Sequence, residues 1–335
     1  MRADAHPDPS AEEFVADHVA AVREAQARLR PHVRRTPLLV TDVGTVKPEC
    51  LQLTGSFKAR GAFNAVLQRR QARRGTGSEV VGVAAVSSGN HGQAVARAAR
   101  TLGLAAVVVM PHDSAAVKVE AVRRLGARVV SDGVTAENRE ARFEAIVAET
   151  GYEAIHPFDD WDVIHGQGTV ALEVVEDHPE LTQIVVPVGG GGLLSGTALA
   201  VRAGRAPVRV VGVEPERAAD AVESFRTGRL VSRPPGVTLA DGARPAALGA
   251  RPFEVVVKRR LVDEVVCVGE ESIAAATVRL WREARLFVEP TGALALAAVM
   301  SGIVGADTGT VLVVSGGNFD PGRVGELLAL DRRAL

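Results

Sequence analysis

A lysine among small residues is the first place in this chain to look for chemistry. Leu53-Thr54-Gly55-Ser56-Phe57-Lys58-Ala59-Arg60-Gly61 sets it between two glycines, directly after an aromatic ring. The chain has 39 basic residues, and only Lys47, Lys58, Lys118 and Lys258 are lysines, so the background favours arginine. A guanidinium keeps its proton near neutral pH and cannot form an imine, whereas a desolvated lysine can. Lys58 lies on the edge of a helical run from Ala59 to Leu67, which suits an imine to an aldehyde cofactor. The ordinary alternative is a solvated surface lysine.

The second signal is Val185-Val186-Pro187-Val188-Gly189-Gly190-Gly191-Gly192-Leu193-Leu194-Ser195-Gly196, four glycines between a strand pattern and a helix pattern. Glycines let backbone N–H groups approach an anion, and a helix start adds unpaired N–H groups and a positive dipole end. A phosphate fits there. The run is not a dinucleotide fingerprint, because Leu194 stands where the last glycine should fall, and no Gly-Lys-Ser/Thr makes it a P-loop. A tight turn would need only one glycine. Two further strand-to-loop junctions are small and polar: Ser87-Ser88-Gly89-Asn90-His91-Gly92 and Ser315-Gly316-Gly317-Asn318. In open α/β sheets ligands bind beyond the carboxyl ends of strands. A phosphate loop, an imine-forming lysine and two such loops together suggest pyridoxal 5′-phosphate (PLP).

The elements that must carry these loops can be read from periodicity. Ser10-Ala11-Glu12-Glu13 is a capping box, and Val15, Val19, Val22 and Leu29 follow at helical spacing up to Pro31. Thr36–Leu39 and Val46–Cys50 read as extended, and Ala62–Arg74 as a helix with a basic end. From Val80 the pattern alternates: strand Val80–Val86, a helix to Leu102, strand Leu104–Met110, helix Ala115–Leu125, strand Ala127–Ser131, helix Ala136–Thr150. Helix Val163–Glu176, strand Gln183–Val188, helix Leu193–Val201 and strand Val208–Val213 continue it. Arg233–Arg251 reads as loop, Glu271–Arg285 and Ala293–Met300 as helices, and Thr310–Val314 as a strand. This is an α/β chain with parallel sheets. We expect residues 71–159 to form a small α/β domain inserted in a larger one made of 1–70 and 160–335.

The composition excludes several classes. The 335 residues carry a net charge of −1, are 47% hydrophobic and 24% charged. That points to neither nucleic acid nor a membrane surface. Cys50 and Cys267 form no C-x-x-C pair and cannot build a disulfide framework. The polar N-terminus has no signal-peptide core, so a cytoplasmic protein in a reducing compartment is expected.

Taken in order, Thr54-Gly55-Ser56-Phe57-Lys58, Ser87–Gly92, the Gly189 run and Ser315–Asn318 resemble the threonine/serine dehydratase and serine racemase family of PLP enzymes, with the tryptophan-synthase-β type of fold. The resemblance spans about Ala20 to Leu330. It implies two open parallel-sheet domains with the cofactor between them. Lys58 would hold PLP as a Schiff base and then act as the base at Cα, and Phe57 would pack on the pyridine ring. Asn90 would bond the ring hydroxyl oxygen. Gly189, Gly190, Gly191, Gly192 and Leu193 would bind the phosphate through backbone N–H. Ser315 would face the pyridine nitrogen, leaving it largely unprotonated, which suits β-elimination over transamination. Ser87, Ser88, Gly89 and His91 lie where the family binds the substrate carboxylate. Ser88 also matches the position from which racemases protonate the opposite face of Cα.

The resemblance also implies a divalent cation, Mg²⁺ or Ca²⁺, held by Glu214, the Ala218 carbonyl and Asp220, an all-oxygen set. Spacing alone allows three solvated charges on a loop instead. Arg139 falls at a substrate-site arginine of the racemase and could take a second carboxylate; the alternative is a surface arginine. Two departures concern the substrate: the segment between Pro37 and Lys47 is shorter than usual, and Pro245 replaces a substrate-contacting serine. No regulatory domain follows Leu335, so end-product inhibition is not expected. The expected activity is that of an ammonia-lyase converting L-threonine or L-serine to a 2-oxo acid and ammonia, as a homodimer. Serine racemase, 3-hydroxyaspartate dehydratase, a β-replacement synthase and a catalytically inactive amino-acid sensor are the competing readings.

Overall fold

A computed structural model describes residues 10–331 apart from Ser88, Ala115, Ala136, Arg205 and Pro235. The Ser88 site assignment and the expected helix starts at Ala115 and Ala136 therefore lie outside the described residues. The chain opens with α1 (Ala11–Leu29), capped by the Ser10 hydroxyl, which accepts the Glu13 N–H at 3.1 Å. A hairpin follows, β1 (Leu39–Thr41) and β2 (Gly44–Pro48), and 3-10 turns at Glu49–Leu51 and Leu53–Gly55 lead into α2 (Lys58–Gly75). Next come β3 (Gly82–Val86), α3 (Asn90–Leu102), β4 (Ala105–Val109), α4 (Ala116–Arg124), β5 (Arg128–Val130), α5 (Arg139–Thr150) and β6 (Glu153–Ala154). Then α6 (Trp161–Asp177), β7 (Gln183–Pro187), α7 (Gly192–Ala200), β8 (Arg209–Pro215), α8 (Asp220–Thr227) and α9 (Ala250–Phe253) follow. After a π-helical turn (Glu254–Lys258), β9 (Glu264–Val268), α10 (Glu270–Arg282), α11 (Leu294–Met300), β10 (Thr310–Val314) and α12 (Val324–Asp331) complete the order.

The strands form two sheets, β1-β2-β10-β7-β8-β9 and β5-β4-β3-β6. Every pairing between two strands among the described residues is parallel except the β1–β2 hairpin. Strands β3, β7 and β10 are buried at every residue. That follows from helices covering both faces, and explains runs such as Thr-Val-Leu-Val-Val that do not alternate. Among the described residues no helix is long and apolar enough to cross a membrane.

Helix α6 fixes the two elements that matter most. A Cβ on Gly61 of α2 would lie 2.3 Å from Gln167, and one on Gly166 would lie 2.6 Å from the Gly61 Cα. On its other side a Cβ on Gly168 would lie 2.8 Å from the Gly196 carbonyl of α7. The lysine helix and the helix after the glycine run are thus both seated on α6, at spacings only glycine allows.

The sequence reading misses several elements. Strand β9 has no counterpart in it. Helix α8 has no counterpart either, and α9 with its π turn begins inside the expected 233–251 loop. Asp220 and Glu223 at the α8 start complement the helix dipole, which favours helix there over loop.

Candidate active site

Lys58 is the first residue of α2 and follows a backbone turn in which Thr54 has φ +61. This turn is stitched to the end of β10. Phe57 N–H bonds the Ser315 carbonyl at 3.1 Å, Gly317 N–H bonds the Gly55 carbonyl at 2.9 Å, and Ser56 and Gly316 form an antiparallel bridge. The Lys58 Nζ donates to the Pro157 carbonyl at 2.7 Å and lies 5.0 Å from the centre of the Phe57 ring. The residue as a whole is half-buried, but its amine end is enclosed, and that burial pushes the amine down to about 8. The solvated-lysine alternative does not hold: among the described residues no carboxylate pairs with this amine, and a large fraction is neutral near that pH.

Asn90, at the start of α3, is held from both ends of its amide. Its Nδ2 donates to Glu289 Oε1 at 2.7 Å, and its Oδ1 accepts from Asn318 Nδ2 at 2.7 Å. Asn318 also donates to the Thr54 carbonyl at 2.7 Å. These bonds join the Ser87–Gly92 loop, the Ser315–Asn318 loop and the lysine turn into one set, and leave Asn90 one N–H for a ligand. Glu289 is not singled out by the sequence reading. It is 4% exposed, and burial, then the charge of Asp241, push its carboxyl up to about 7.

His91 departs from expectation. Its Nε2 stands 2.8 Å from the Ile155 carbonyl, so the proton sits on Nε2 and the buried, unpartnered Nδ1 is a lone-pair acceptor. Burial, then the charge of Lys58, push it down to about 3, so the ring stays neutral. Such a ring cannot donate from Nδ1 to a carboxylate. The N–H groups at the start of α3 can, being the unpaired donors of a helix N-terminus. Ser87, at the end of β3, accepts the Gly89 N–H at 3.2 Å, which shapes that start.

Gly189–Gly192 join β7 to α7, with Gly191 at φ +86. A Cβ on Gly190 would fall 2.3 Å from the Phe158 ring, and one on Gly192 3.1 Å from Phe158 as well. Phe158 therefore backs the loop, and the loop N–H groups precede the Ser195 N–H to Gly191 carbonyl bond (2.8 Å). Leu193 is buried behind it. Arg139 is not part of this set: at the start of α5 its side chain is 42% exposed and its Nε lies 3.5 Å from the adjacent Glu140 carboxylate. The surface alternative fits it.

Glu214 lies next to last in β8 and Asp220 starts α8, with Ala218 in the 3-10 turn between them. Burial, then the charge of Asp220, raise Glu214 well above the usual carboxylate range. Burial raises Asp220 to about 6, and its Oδ2 is buried without a partner. Two crowded carboxylates, one with an orphan oxygen, fit a hard cation completed by a carbonyl. Among the described residues no three His, Cys, Asp or Glu converge on a metal position, so an all-side-chain site of that kind is not formed.

A lysine amine at the strand ends, a glycine loop open at a helix start and an amide fixed for one further donor have the donor set for a phosphorylated aldehyde. The model of the family described as pyridoxal-phosphate dependent enzyme matches residues 29–316. The chain belongs to this family. It is similar to a serine racemase of Oryza sativa subsp. indica, at 38% identity over 331 residues that cover 94% of each chain. It is equally similar to an L-threonine ammonia-lyase of Thermotoga maritima, at 38% identity, covering 92% of this chain and 77% of that one. The crystal structure of a threonine deaminase from T.th. superposes with a TM-score of 0.84 at 43% identity, over 90% of this chain and 98% of that one. The fold is accordingly that of the tryptophan-synthase-β-like PLP enzymes.

Proposed function

We propose that this chain is a PLP-dependent ammonia-lyase that converts a small β-hydroxy-α-amino acid, L-threonine or L-serine, to a 2-oxo acid and ammonia. The observation that carries this reading is the Lys58 amine, enclosed, carboxylate-free and lowered to about 8, held by the Pro157 carbonyl beside the Phe158 ring that backs the glycine loop. Bound there, the cofactor supplies an aldehyde for the substrate amine and a ring that takes up the electrons left at Cα. Lys58 holds the cofactor and, when free, accepts the Cα proton, which its lowered affinity for protons allows near neutral pH. Gly189–Leu193 take the phosphate. The α3 N–H groups, with Ser87, Ser88 and Gly89, orient the substrate carboxylate. Asn90, aimed by Glu289 and Asn318, donates to the ring oxygen. Ser315 offers a neutral hydroxyl to the ring nitrogen, which favours elimination.

Glu214, the Ala218 carbonyl and Asp220 would hold Mg²⁺ or Ca²⁺, whose charge relieves the repulsion between the two carboxylates. Residues 71–159 would move as a unit against the rest. The Lys118–Asp241 ion pair, which joins α4 to the segment before Pro245, would steady the closed form.

Serine racemisation is the second reading, supported by the rice relative. Assaying 2-oxo acid release from L-threonine, L-serine and threo-3-hydroxyaspartate, with D-serine measured alongside, separates the two. Release from L-threonine or L-serine is expected. D-serine formation without 2-oxo acid would replace the lyase by the racemase, and a protein that takes up no PLP would return it to an amino-acid sensor.

A further inference from the structure

One six-residue strap touches nearly every part of this site. Ile155 carbonyl accepts from His91, Pro157 carbonyl accepts from Lys58, and the Phe158 ring backs Gly190. Asp159 Oδ1 accepts the Arg251 N–H at 2.8 Å, and Asp160 caps α6 and pairs with Arg69 at 2.6 Å. The remaining residue, His156, closes the strap on itself. Its Nδ1 lies 2.7 Å from the Asp159 nitrogen and 3.3 Å from the Phe158 nitrogen, and its ring packs edge-on against Phe158 with centroids 4.7 Å apart.

Both neighbours of Nδ1 are backbone N–H donors. Nδ1 must therefore be the lone-pair nitrogen, and the ring is the neutral Nε2–H tautomer. A proton on Nδ1 would set a donor against two donors and open the turn. The turn carries both the carbonyl that holds the Lys58 amine and the ring that fixes the glycine loop. We propose that His156 is a positioning residue whose neutral imidazole clasps the Ile155–Asp160 strap, and that its protonation loosens the PLP phosphate loop. This inference rests on the reading of Gly189–Leu193 as that loop.

The charged and titratable groups facing His156 are Asp159 and Asp160 from the strap, Lys58 from α2, Arg251 from α9 and the neutral His91 from α3. Although the residue as a whole is exposed, desolvation of its ring against the strap lowers its affinity for protons, Asp159 and Asp160 oppose this, and Lys58 and Arg251 add to it; the net direction is down. The clasp is thus intact at neutral pH and opens below the ordinary histidine range.

The test compares PLP dissociation constants and kcat/KM from pH 5 to 8 for wild type, His156→Asn and His156→Ala. The Asn Oδ1 can accept the same two N–H groups, as in an Asx turn, and does not titrate. His156→Asn is expected to match wild type at pH 7.5 and to lose the acid-side weakening of PLP binding. His156→Ala, which forfeits two hydrogen bonds, is expected to bind PLP about tenfold more weakly at pH 7.5, with the difference from wild type closing as the pH falls. An acid limb unchanged in His156→Asn, or wild-type affinity in His156→Ala at pH 7.5, would overturn the proposal. If the alanine variant does not fold, the asparagine profile still decides, and so does the ¹⁵N shift of Nδ1 in wild type, which must be that of an unprotonated nitrogen at pH 7.5. Wild type failing to bind PLP at any pH would instead remove the loop assignment on which the proposal rests.

Discussion

Replacing Arg60 with methionine tests how the lysine helix is held. Arg60 lies two residues beyond Lys58, is fully buried, and sits in a cluster of two cations and two anions. Its guanidinium bonds Glu49 at 2.8 Å through both Nε and Nη2, and Glu173 at 2.7 Å. Lys47 bonds Glu173 and the Thr36 carbonyl at 2.6 Å each, and the Thr36 hydroxyl donates to Glu49 at 2.6 Å. The cluster ties α2 to β2, the Glu49 turn and α6. In Arg60→Met, Lys47 still balances Glu173, but Glu49 keeps only Thr36. Removing one partner of a buried ion pair costs about 3–5 kcal/mol, and we expect a loss in that range at pH 7.

The sign of its pH dependence is fixed. In wild type, burial raises the Glu49 carboxyl, but Arg60 together with Thr36 and Lys47 more than offsets it, so its proton affinity is net lowered. A carboxyl lowered in this way adds stability that is lost as pH falls. Without Arg60, only the Thr36 hydroxyl and the Lys47 charge oppose burial, the largest influence on this group, so the carboxyl rises and less stability is lost as pH falls. The deficit of Arg60→Met against wild type should therefore shrink between pH 7 and pH 5. The Arg60→Met/Glu49→Gln double variant should recover stability at pH 7 through coupling of about 0.5–3 kcal/mol. Urea denaturation of the apo-proteins measures both. A deficit under about 1 kcal/mol, or one that grows as pH falls, would refute the argument.

Other outcomes follow from the same geometry. Gly190→Ala drives a methyl into the Phe158 ring, and overpacking of about 1–3 kcal/mol should weaken PLP binding roughly five- to 150-fold, read by cofactor titration. Glu289 titrates near 7 when folded against an ordinary 4.5, so charging it costs stability as pH rises through 7. Glu289→Gln should remove on the order of 3 kcal/mol of that fall between pH 5 and 8 in urea denaturation; an unchanged slope counts against the assignment. Millimolar Ca²⁺ or Mg²⁺ should raise the Tm of wild type but not of Asp220→Asn, and less at pH 5 than at pH 7.5, because both carboxylates bind protons more readily than usual. An equal rise in the variant would remove the cation site.

Much of the fold was legible because buried parallel strands and glycine loops leave local marks. Val185–Gly196 and Val313–Asn318 show strand, loop and small residues within a dozen positions. The charged cluster around Arg60 left no such mark: helix periodicity assigns Arg60 and Glu173 no partner, and only tertiary packing brings in Glu49 and Lys47. Glu289 is a lone carboxylate whose contact with Asn90 spans 199 positions. Strand β9 escaped because its apolar run, Val265–Val268, is only four residues long, follows Asp263 and Glu264, and lies at the edge of the sheet. Arg139 was drawn to the site by resemblance, but its place on α5 pairs it with a neighbouring glutamate. His156 has no motif around it; its role depends on which carbonyls and rings a turn presents once folded.

The most direct test of the account is where the cofactor attaches. The PLP-loaded protein is reduced with borohydride, digested and mapped by mass spectrometry. The account predicts a phosphopyridoxyl group on Lys58 alone among the four lysines, with the visible absorption band and turnover both absent in Lys58→Ala. Label on Lys47, Lys118 or Lys258, or turnover that survives in Lys58→Ala, would contradict it.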